Sequence, residues 1–442
     1  MRKQSPQFSI LGIIYLAVIA LGCVDATVAS EDKGQQGNAA NTPESAFPGL
    51  PEDLAKVLLE AQRTAPKAQK VVKVGDALGL AATMSQQLTG DEDVAAAYQA
   101  RVAVALAEAG RLEEAMELAS AIRDYRRDKS LLEIAGIMAR RNLDITKIHE
   151  IANSAEISLP ALKPRERDQL CLRLIQLSQV TGWSKERLDA VASQFSDKEE
   201  ALCGRLMRRA VVAKRDQPFD LEAALKEIAE EKKGVPLPEI LDVAWELSQQ
   251  AFAAFKRKDE PSVAEGKRLI EAVLALLAVS NTERTDIVLD ISEQLIVLKQ
   301  DELAKKVFAT GERGALGPLE TDWMAKLRYK LVNIWRLRGL QERLLPLLEE
   351  SEKSARKLRQ MERPYAYAWM AAAWRVMEKN DRSEKLMRDA AQEAITNVNP
   401  RTARLGVIEI CLCSAALHHS LDNDLFHILN SLSQGDGSAL QP

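Results

Sequence analysis

The sequence contains few aromatic, glycine and cysteine residues for its length. Aromatic residues make up only 5% of the 442 residues, so a core drawn from the 46% hydrophobic residues must consist mainly of Ala, Leu, Ile and Val. The 21 glycines occur without a phosphate-binding glycine loop, and no GxSxG or HExxH motif is present. The sequence therefore predicts no catalytic residues, no metal and no cofactor, which favours a non-enzymatic protein.

An excess of basic residues is also missing. The chain has 60 Lys and Arg residues against 64 Asp and Glu residues, giving a net charge of −4. Proteins that bind a phosphate backbone need a basic surface to neutralise it. Nucleic acid is therefore not a predicted partner.

Alternating runs typical of β-strands are absent, and the chain instead alternates amphipathic segments with short polar breaks. The segment 105–115 shows this best, because Gly110 separates two helical patterns that follow each other at once. Such helix–turn–helix units bury their apolar faces only against neighbouring units. The predicted fold is all-α, a right-handed α-solenoid or superhelix of stacked antiparallel helix pairs.

Two stretches, 98–155 and 365–395, carry a more specific pattern of small and large residues. The first has Ala103, Leu106, Ala115, Ala119 and Ile122, and the second has Trp369, Ala372, Ala373 and Val376. In this spacing the sequence resembles degenerate tetratricopeptide repeats, with a period that drifts elsewhere in the chain. The resemblance implies a superhelix whose concave groove binds peptides or partner proteins, and it implies no chemistry.

The N-terminus has the three-part layout of a secretory signal peptide. Arg2 and Lys3 precede an uncharged run of 15 residues, 8–22, which is shorter than the ~20 residues of a membrane-spanning helix. We therefore expect residues 1–26 to direct export, and the mature protein to be periplasmic or extracellular. Membrane contact is expected only through this N-terminus.

Processing of the N-terminus has three open outcomes. Ala20-Leu21-Gly22-Cys23 resembles a bacterial lipobox, in which Cys23 would carry lipid. Ordinary cleavage after Ala26 or Ala29 is the second outcome, and an uncleaved anchor is the third. The expected organisation is a signal peptide, a flexible linker, a tetratricopeptide-like repeat domain and a disordered tail, at 1–26, 27–49, 50–433 and 434–442.

Aromatic residues concentrate between Trp323 and Trp374. Tyr365 and Trp369 are four apart and share a helix face, while Trp374 falls on another face. Our hypothesis is that this region forms a partner-binding surface, which consists of Tyr365, Trp369, Trp374, Arg375 and Trp335. The alternative is that the aromatic side chains fill core gaps beside the neighbouring alanines.

Two further clusters have structural alternatives. The first contains potential transition-metal ligands without CxxC or HxxxH spacing, so buried thiols are preferred: Cys411, Cys413, His418, His419 and His427. The second places three carboxylates on one helix face: Asp286, Asp290 and Glu293. They could hold Mg²⁺ or act as a general acid–base set, and the alternative is an acidic stripe exposed to solvent.

Two functions follow from these patterns. The first is an exported, non-enzymatic helical-repeat scaffold that binds a protein or peptide in the cell envelope. The alternative is a polysaccharide-processing enzyme of the envelope, built on an α-superhelical or toroidal scaffold, which would need paired acids beside aromatic side chains.

Overall fold

The structure is a computed structural model that describes residues 73–196, 198–213, 218–232, 240–280, 285–317, 319–417 and 421–432. All of them belong to one compact unit, Val72–Pro442. Three predicted segments lie outside the described residues: the signal peptide (1–26) with Cys23, the linker (27–49) and the tail (434–442).

The regular elements of the described ranges are helices, and no strand occurs among them. The helices are α1 (Ala77–Gln86), α2 (Glu92–Glu108), α3 (Leu112–Ser120), α4 (Arg126–Arg140), α5 (Ile145–Ser158), α6 (Pro164–Thr181), α7 (Lys185–Ala192), α8 (Lys198–Val212), α9 (Leu221–Lys232), α10 (Ile240–Arg257), α11 (Glu260–Ser280), α12 (Thr285–Val297), α13 (Asp301–Leu316), α14 (Asp322–Leu337), α15 (Leu344–Ala355), α16 (Arg363–Val376), α17 (Asn380–Ile395), α18 (Pro400–Ala416) and α19 (Asn423–Ser431). In the part of the chain that the structure describes, none is long and apolar enough to cross a membrane. The predicted all-α solenoid is confirmed.

Local sequence explains where helices begin and end. Gly110 has φ of +83°, a left-handed conformation that glycine adopts without a Cβ clash, and it separates α2 from α3. At the start of α18, the Asn399 side chain accepts hydrogen bonds from the amides of Arg401 and Thr402, at 3.0 and 3.4 Å. Pro400 then occupies the first helical turn, where its missing N–H costs nothing. The Gly110 boundary lies where the sequence predicted a break.

The helices form two layers. From α2 to α18, each even-numbered helix packs against the next even-numbered one, and the intervening odd-numbered helix covers that layer from one side. Because successive even-numbered helices contact one another directly, their layer has the smaller radius of curvature, and we call it the inner layer. The buried residues between the layers are mostly Ala, Leu, Ile and Val, as the composition predicted.

The solenoid closes on itself. The last inner helix, α18, packs extensively against α1 and also touches α2, the first inner helix. Arg101 of α2 forms a bidentate ion pair with Glu409 of α18, with Nη1–Oε1 and Nη2–Oε2 distances of 2.5 and 2.9 Å. Arg401 of α18 pairs with Asp91, the N-cap of α2, at 3.2 Å. The inner layer therefore encloses a central space, which we call the lumen.

Candidate functional site in the lumen

Glu108, at the end of α2, marks the concave surface of the ring. Its side chain is exposed to water, yet desolvation by the surrounding protein raises the pKa of its carboxyl group. A carboxylate on a convex surface would not experience that desolvation. The charges that act on Glu108 include Lys326 of α14 and Asp290 of α12, two helices that are not neighbours of α2 in the ring. Charges from distant parts of the chain therefore act on one another across the lumen.

The α4–α6–α10 side of the lumen shows the same convergence. Arg173 of α6 lies 3.9 Å from Glu133 of α4 and 3.5 Å from Asp242 of α10. Arg140 of α4 interacts electrostatically with Glu246 of α10, although α6 and α8 separate these two helices in the ring. Burial raises the pKa of Glu246, while Arg140 partly opposes that shift. This side of the lumen is therefore lined by charges of both signs.

Polar side chains on α12 pair with polar side chains on α14. Lys330 pairs with Asp290 at 2.5 Å, and the Asn333 amide donates a hydrogen bond to Glu293 at 2.5 Å. Burial, and then the negative charge of Asp290, raise the pKa of Glu293. The predicted acidic row of Asp286, Asp290 and Glu293 thus lies partly against α14, with Lys330 also approaching the Asp286 carbonyl oxygen at 3.5 Å.

An aromatic group adjoins these charges. Trp369 of α16 lies with its ring centroid 5.2 Å from that of Tyr329 and 6.2 Å from that of Tyr365. The Lys326 ammonium is 5.4 Å from the Trp369 ring and 5.5 Å from the Trp323 ring, within cation–π distance of both. Burial lowers the pKa of Lys326, and the nearby charges of Lys330 and Arg101 lower it further. Trp323, in the first turn of α14, is 40% exposed and forms a rim to this group.

Carboxyl groups surround the same aromatic side chains. Arg101 packs over the Tyr98 ring at 4.9 Å while it holds Glu409. Burial raises the pKa of Asp322. Burial also raises the pKa of the Tyr365 hydroxyl, which the negative charges of Glu409 and Asp322 raise further and the positive charge of Arg101 lowers. Clusters of titratable groups with shifted pKa values are common at functional sites, so this side of the lumen is the best candidate.

The proposed binding residues separate into two groups. Tyr365 and Trp369 belong to the lumen cluster, although they are only 8% and 5% exposed. Trp374 is fully buried beneath Arg382 of α17, 3.9 Å from its ring, and Trp335 is 3% exposed beneath Arg343. Core packing, the alternative given above, accounts for these two tryptophans.

Arg375 remains partly exposed near the end of α16. It is therefore the one member of the predicted set outside the buried core, because Tyr365 and Trp369 are also core residues.

Among the cysteines, Cys413 adjoins this site, and the charges of Glu409 and Lys326 act on its thiol. Cys411 and Cys413 are fully buried in α18, and burial raises the pKa of both thiols. Cys171, Cys411 and Cys413 are free thiols and Cys203 is buried, which agrees with the preferred interpretation. His418 and His419 lie outside the described residues. Within the described ranges, no group of three or more His, Cys, Asp and Glu residues is arranged to hold a metal ion.

Sequence reasoning missed Arg101, Glu108, Arg140, Glu246 and Lys326. One signal was available, because Asp290 and Glu293 find their partners Lys330 and Asn333 at the same separation of 40 residues. A polar row that recurs after one helix pair points to facing inner helices. Arg101 reaches Glu409 only because the ring closes, whereas Lys326 meets Trp369 on the adjacent inner helix α16.

Comparison with known proteins gave no match to a family model, to a curated protein or to a solved structure.

Proposed function

We propose that the protein is an exported, non-enzymatic helical-repeat scaffold that holds a segment of a partner protein in the lumen. The observation that carries the proposal is the convergence of Lys326, Trp369, Tyr365 and Glu108 from three separate inner helices. Solenoid repeats present their inner surface to ligands, and aromatic side chains beside charges are frequent in binding surfaces.

The resemblance to tetratricopeptide repeats supports the same proposal. In α2 and α3, Ala103, Leu106, Ala115 and Ala119 are all almost fully buried, as expected for small and large residues that pack between paired helices. We propose that these pairs are tetratricopeptide-like units and that their inner surface serves for binding, as in that family.

Site-specific photo-crosslinking in the native host tests this function. A photoreactive residue replaces Trp323 at the lumen rim, and the matched control replaces Lys306 on the outer helix α13. We expect a partner protein to be captured from position 323 and not from position 306. Capture only from position 306 would place the partner on the outer surface and reject the lumen as the binding site.

Export is a separate part of the proposal and needs its own measurement. The intact mass of the protein purified from the cell envelope distinguishes a lipid-bearing Cys23 from cleavage after Ala26 or Ala29. A full-length chain recovered from the cytoplasm with an unprocessed N-terminus would contradict export.

The second candidate is a polysaccharide-processing enzyme, because two carboxyl groups with raised pKa values, Glu293 and Asp322, adjoin Tyr329 and Tyr365. A general acid needs a raised pKa, and aromatic rings can bind sugars. Turnover of a panel of neutral and acidic polysaccharides, lost in Glu293→Gln or Asp290→Asn, would favour this enzyme over the scaffold.

A further inference from the structure

Lys326 differs from the other cations around the aromatic group. Arg101 binds Glu409, and Lys330 binds Asp290, each at 2.5 Å. Among the described residues, no carboxylate forms an ion pair with Lys326, whose ammonium instead faces the rings of Trp323 and Trp369. An ammonium group with restricted access to water is costly without an anionic partner. The arrangement leaves one positive charge available to a ligand.

A second unsatisfied group lies next to this lysine. The indole N–H of Trp369 is buried and has no hydrogen-bond acceptor within the described part of the chain. Buried donors normally find an acceptor, so an exception requires an explanation. An indole N–H points along the plane of its ring, so this donor is distinct from the ring face that Lys326 covers and would need an acceptor at the ring edge.

The surrounding charges limit the ligand to a small anion of single charge. Asp290 and Glu409 act on Lys326 and favour its charged form, while Arg101 and Lys330 oppose it. Arg101 pairs with Glu409 and Lys330 pairs with Asp290, so these four charges cancel and the Lys326 ammonium is the remaining positive charge, which a phosphate dianion would exceed. A carboxylate would match the single free ammonium.

The burial of Trp369 favours a polypeptide over a polysaccharide as the source of that carboxylate. Trp369 is 5% exposed and is covered by Tyr329, Tyr365 and Lys326, so its ring offers no open platform for a sugar. Trp323, in contrast, is 40% exposed and lies 5.5 Å from the Lys326 ammonium. It offers apolar surface to an extended peptide whose acidic side chain or C-terminal carboxylate binds Lys326.

We infer that Lys326, with Trp323 at the rim and Trp369 beneath, is a binding site for a carboxylate group of a partner polypeptide. This inference rests on the proposed scaffold function, and it names the chemistry that the lumen recognises. It assigns the anchoring charge to Lys326 and the adjacent apolar contact to Trp323.

Fluorescence anisotropy with labelled probes tests the site on the full-length mature protein. The probes are an oligoglutamate, an oligoglutamine of equal length, and an oligogalacturonate of equal charge, with inorganic phosphate as a competitor. We expect the oligoglutamate to bind, the oligoglutamine and oligogalacturonate to bind far more weakly, and phosphate to compete poorly. Lys326→Gln should weaken oligoglutamate binding about tenfold, or about 1.4 kcal/mol.

Two variants separate a lost charge from a lost fold. Lys326→Arg keeps the positive charge and should keep most of the affinity, while Lys306→Gln removes a charge from the outer helix α13 and should have no effect. Circular dichroism spectra and melting temperatures verify that each variant is folded. An equal effect of Lys326→Gln and Lys306→Gln would show only non-specific attraction and would overturn the site.

The remaining outcomes are also decisive. Preferred binding of the oligogalacturonate, with the same dependence on Lys326, would reject a polypeptide ligand and favour the enzyme candidate. If no acidic probe binds while photo-crosslinking from position 323 still captures a partner, the carboxylate site is wrong and the scaffold function stands. If crosslinking also fails, the scaffold function is wrong as well.

Discussion

Arg101 and Glu409 are 308 positions apart in the chain, yet their side chains form two parallel hydrogen bonds that join the first inner helix to the last. The Glu409 side chain is only 6% exposed and that of Arg101 is 45% exposed, so the carboxylate is the buried partner. A bidentate pair fixes orientation as well as distance. We therefore expect this pair to hold the two ends of the solenoid in a defined register.

Replacing the buried partner tests closure. Glu409→Gln keeps the size of the side chain but leaves Arg101 without its counter-ion, so we expect the free energy of unfolding to fall by about 1–3 kcal/mol. Urea unfolding followed by circular dichroism measures this change. The control is Glu150→Gln, which breaks the exposed pair with Lys147 and should cost about 0.5 kcal/mol or less. Equal losses in the two variants would show that the pair does not contribute to closure.

A pair of glycine substitutions tests the close packing of α18 against its neighbours. A Cβ at Gly406 would lie 2.9 Å from the Ala394 Cβ and 3.2 Å from the Pro364 Cβ, so Gly406→Ala should destabilise by about 1–3 kcal/mol. At Gly136 of α4 the nearest atom would be the Arg140 Nη1 at 3.6 Å. There Gly→Ala should stabilise the helix by up to about 1 kcal/mol. Thermal unfolding of both variants measures the sign, and a gain at Gly406 would contradict the packing.

The sequence predicted helix boundaries best where glycine breaks the pattern, as at Gly110. It missed the break between α3 and α4, because residues 121–125 include no glycine. There the backbone amide of Arg126 donates a hydrogen bond to the Asp124 side chain, with 2.8 Å between the nitrogen and Oδ1. Such local capping by a single polar residue is hard to distinguish from an ordinary surface position.

Closure appeared in the sequence analysis only as the toroidal alternative, and the residues that meet where the ring closes could not be identified for a different reason. The pairing of Arg101 with Glu409 depends on the summed rotation of every helix pair between them, and a small change in each pair would open the ring. The acidic row on α12 was visible in the sequence, but its interaction with α14 was not recognised. Lys326 was missed because its two tryptophan contacts are far apart in the sequence: Trp323 is on the same helix, but Trp369 follows 43 residues later.

The raised pKa of Glu293 predicts a defined pH dependence of stability. The folded protein keeps this proton to higher pH than the unfolded chain, whose Glu has the ordinary value of 4.5. The free energy of unfolding therefore falls as the pH rises from that value through the pKa of the folded state. Glu293→Gln should remove this fall, as measured by urea unfolding between about pH 4 and about pH 7.

Glu302 gives a contrasting control on the outer helix α13. A hydrogen bond from Lys305 lowers its pKa, so its contribution is present above the unfolded value and is lost as the pH falls through the folded one. Glu302→Gln should therefore change the pH profile in the opposite direction. A Glu293→Gln profile identical to that of the wild-type protein would refute the shift.

Two tryptophans from the same part of the sequence should behave in opposite ways. Trp374 is fully buried between α16 and α17, so Trp374→Ala leaves a large cavity and should destabilise by about 3–5 kcal/mol. Trp323 is 40% exposed at the lumen rim, so Trp323→Ala should cost about 1 kcal/mol or less. Thermal unfolding and oligoglutamate binding, measured on both variants, separate the two roles. Because binding requires the rim contact beside Lys326, we expect Trp323→Ala to fold normally and bind weakly, whereas normal binding by that variant would exclude Trp323 from the site.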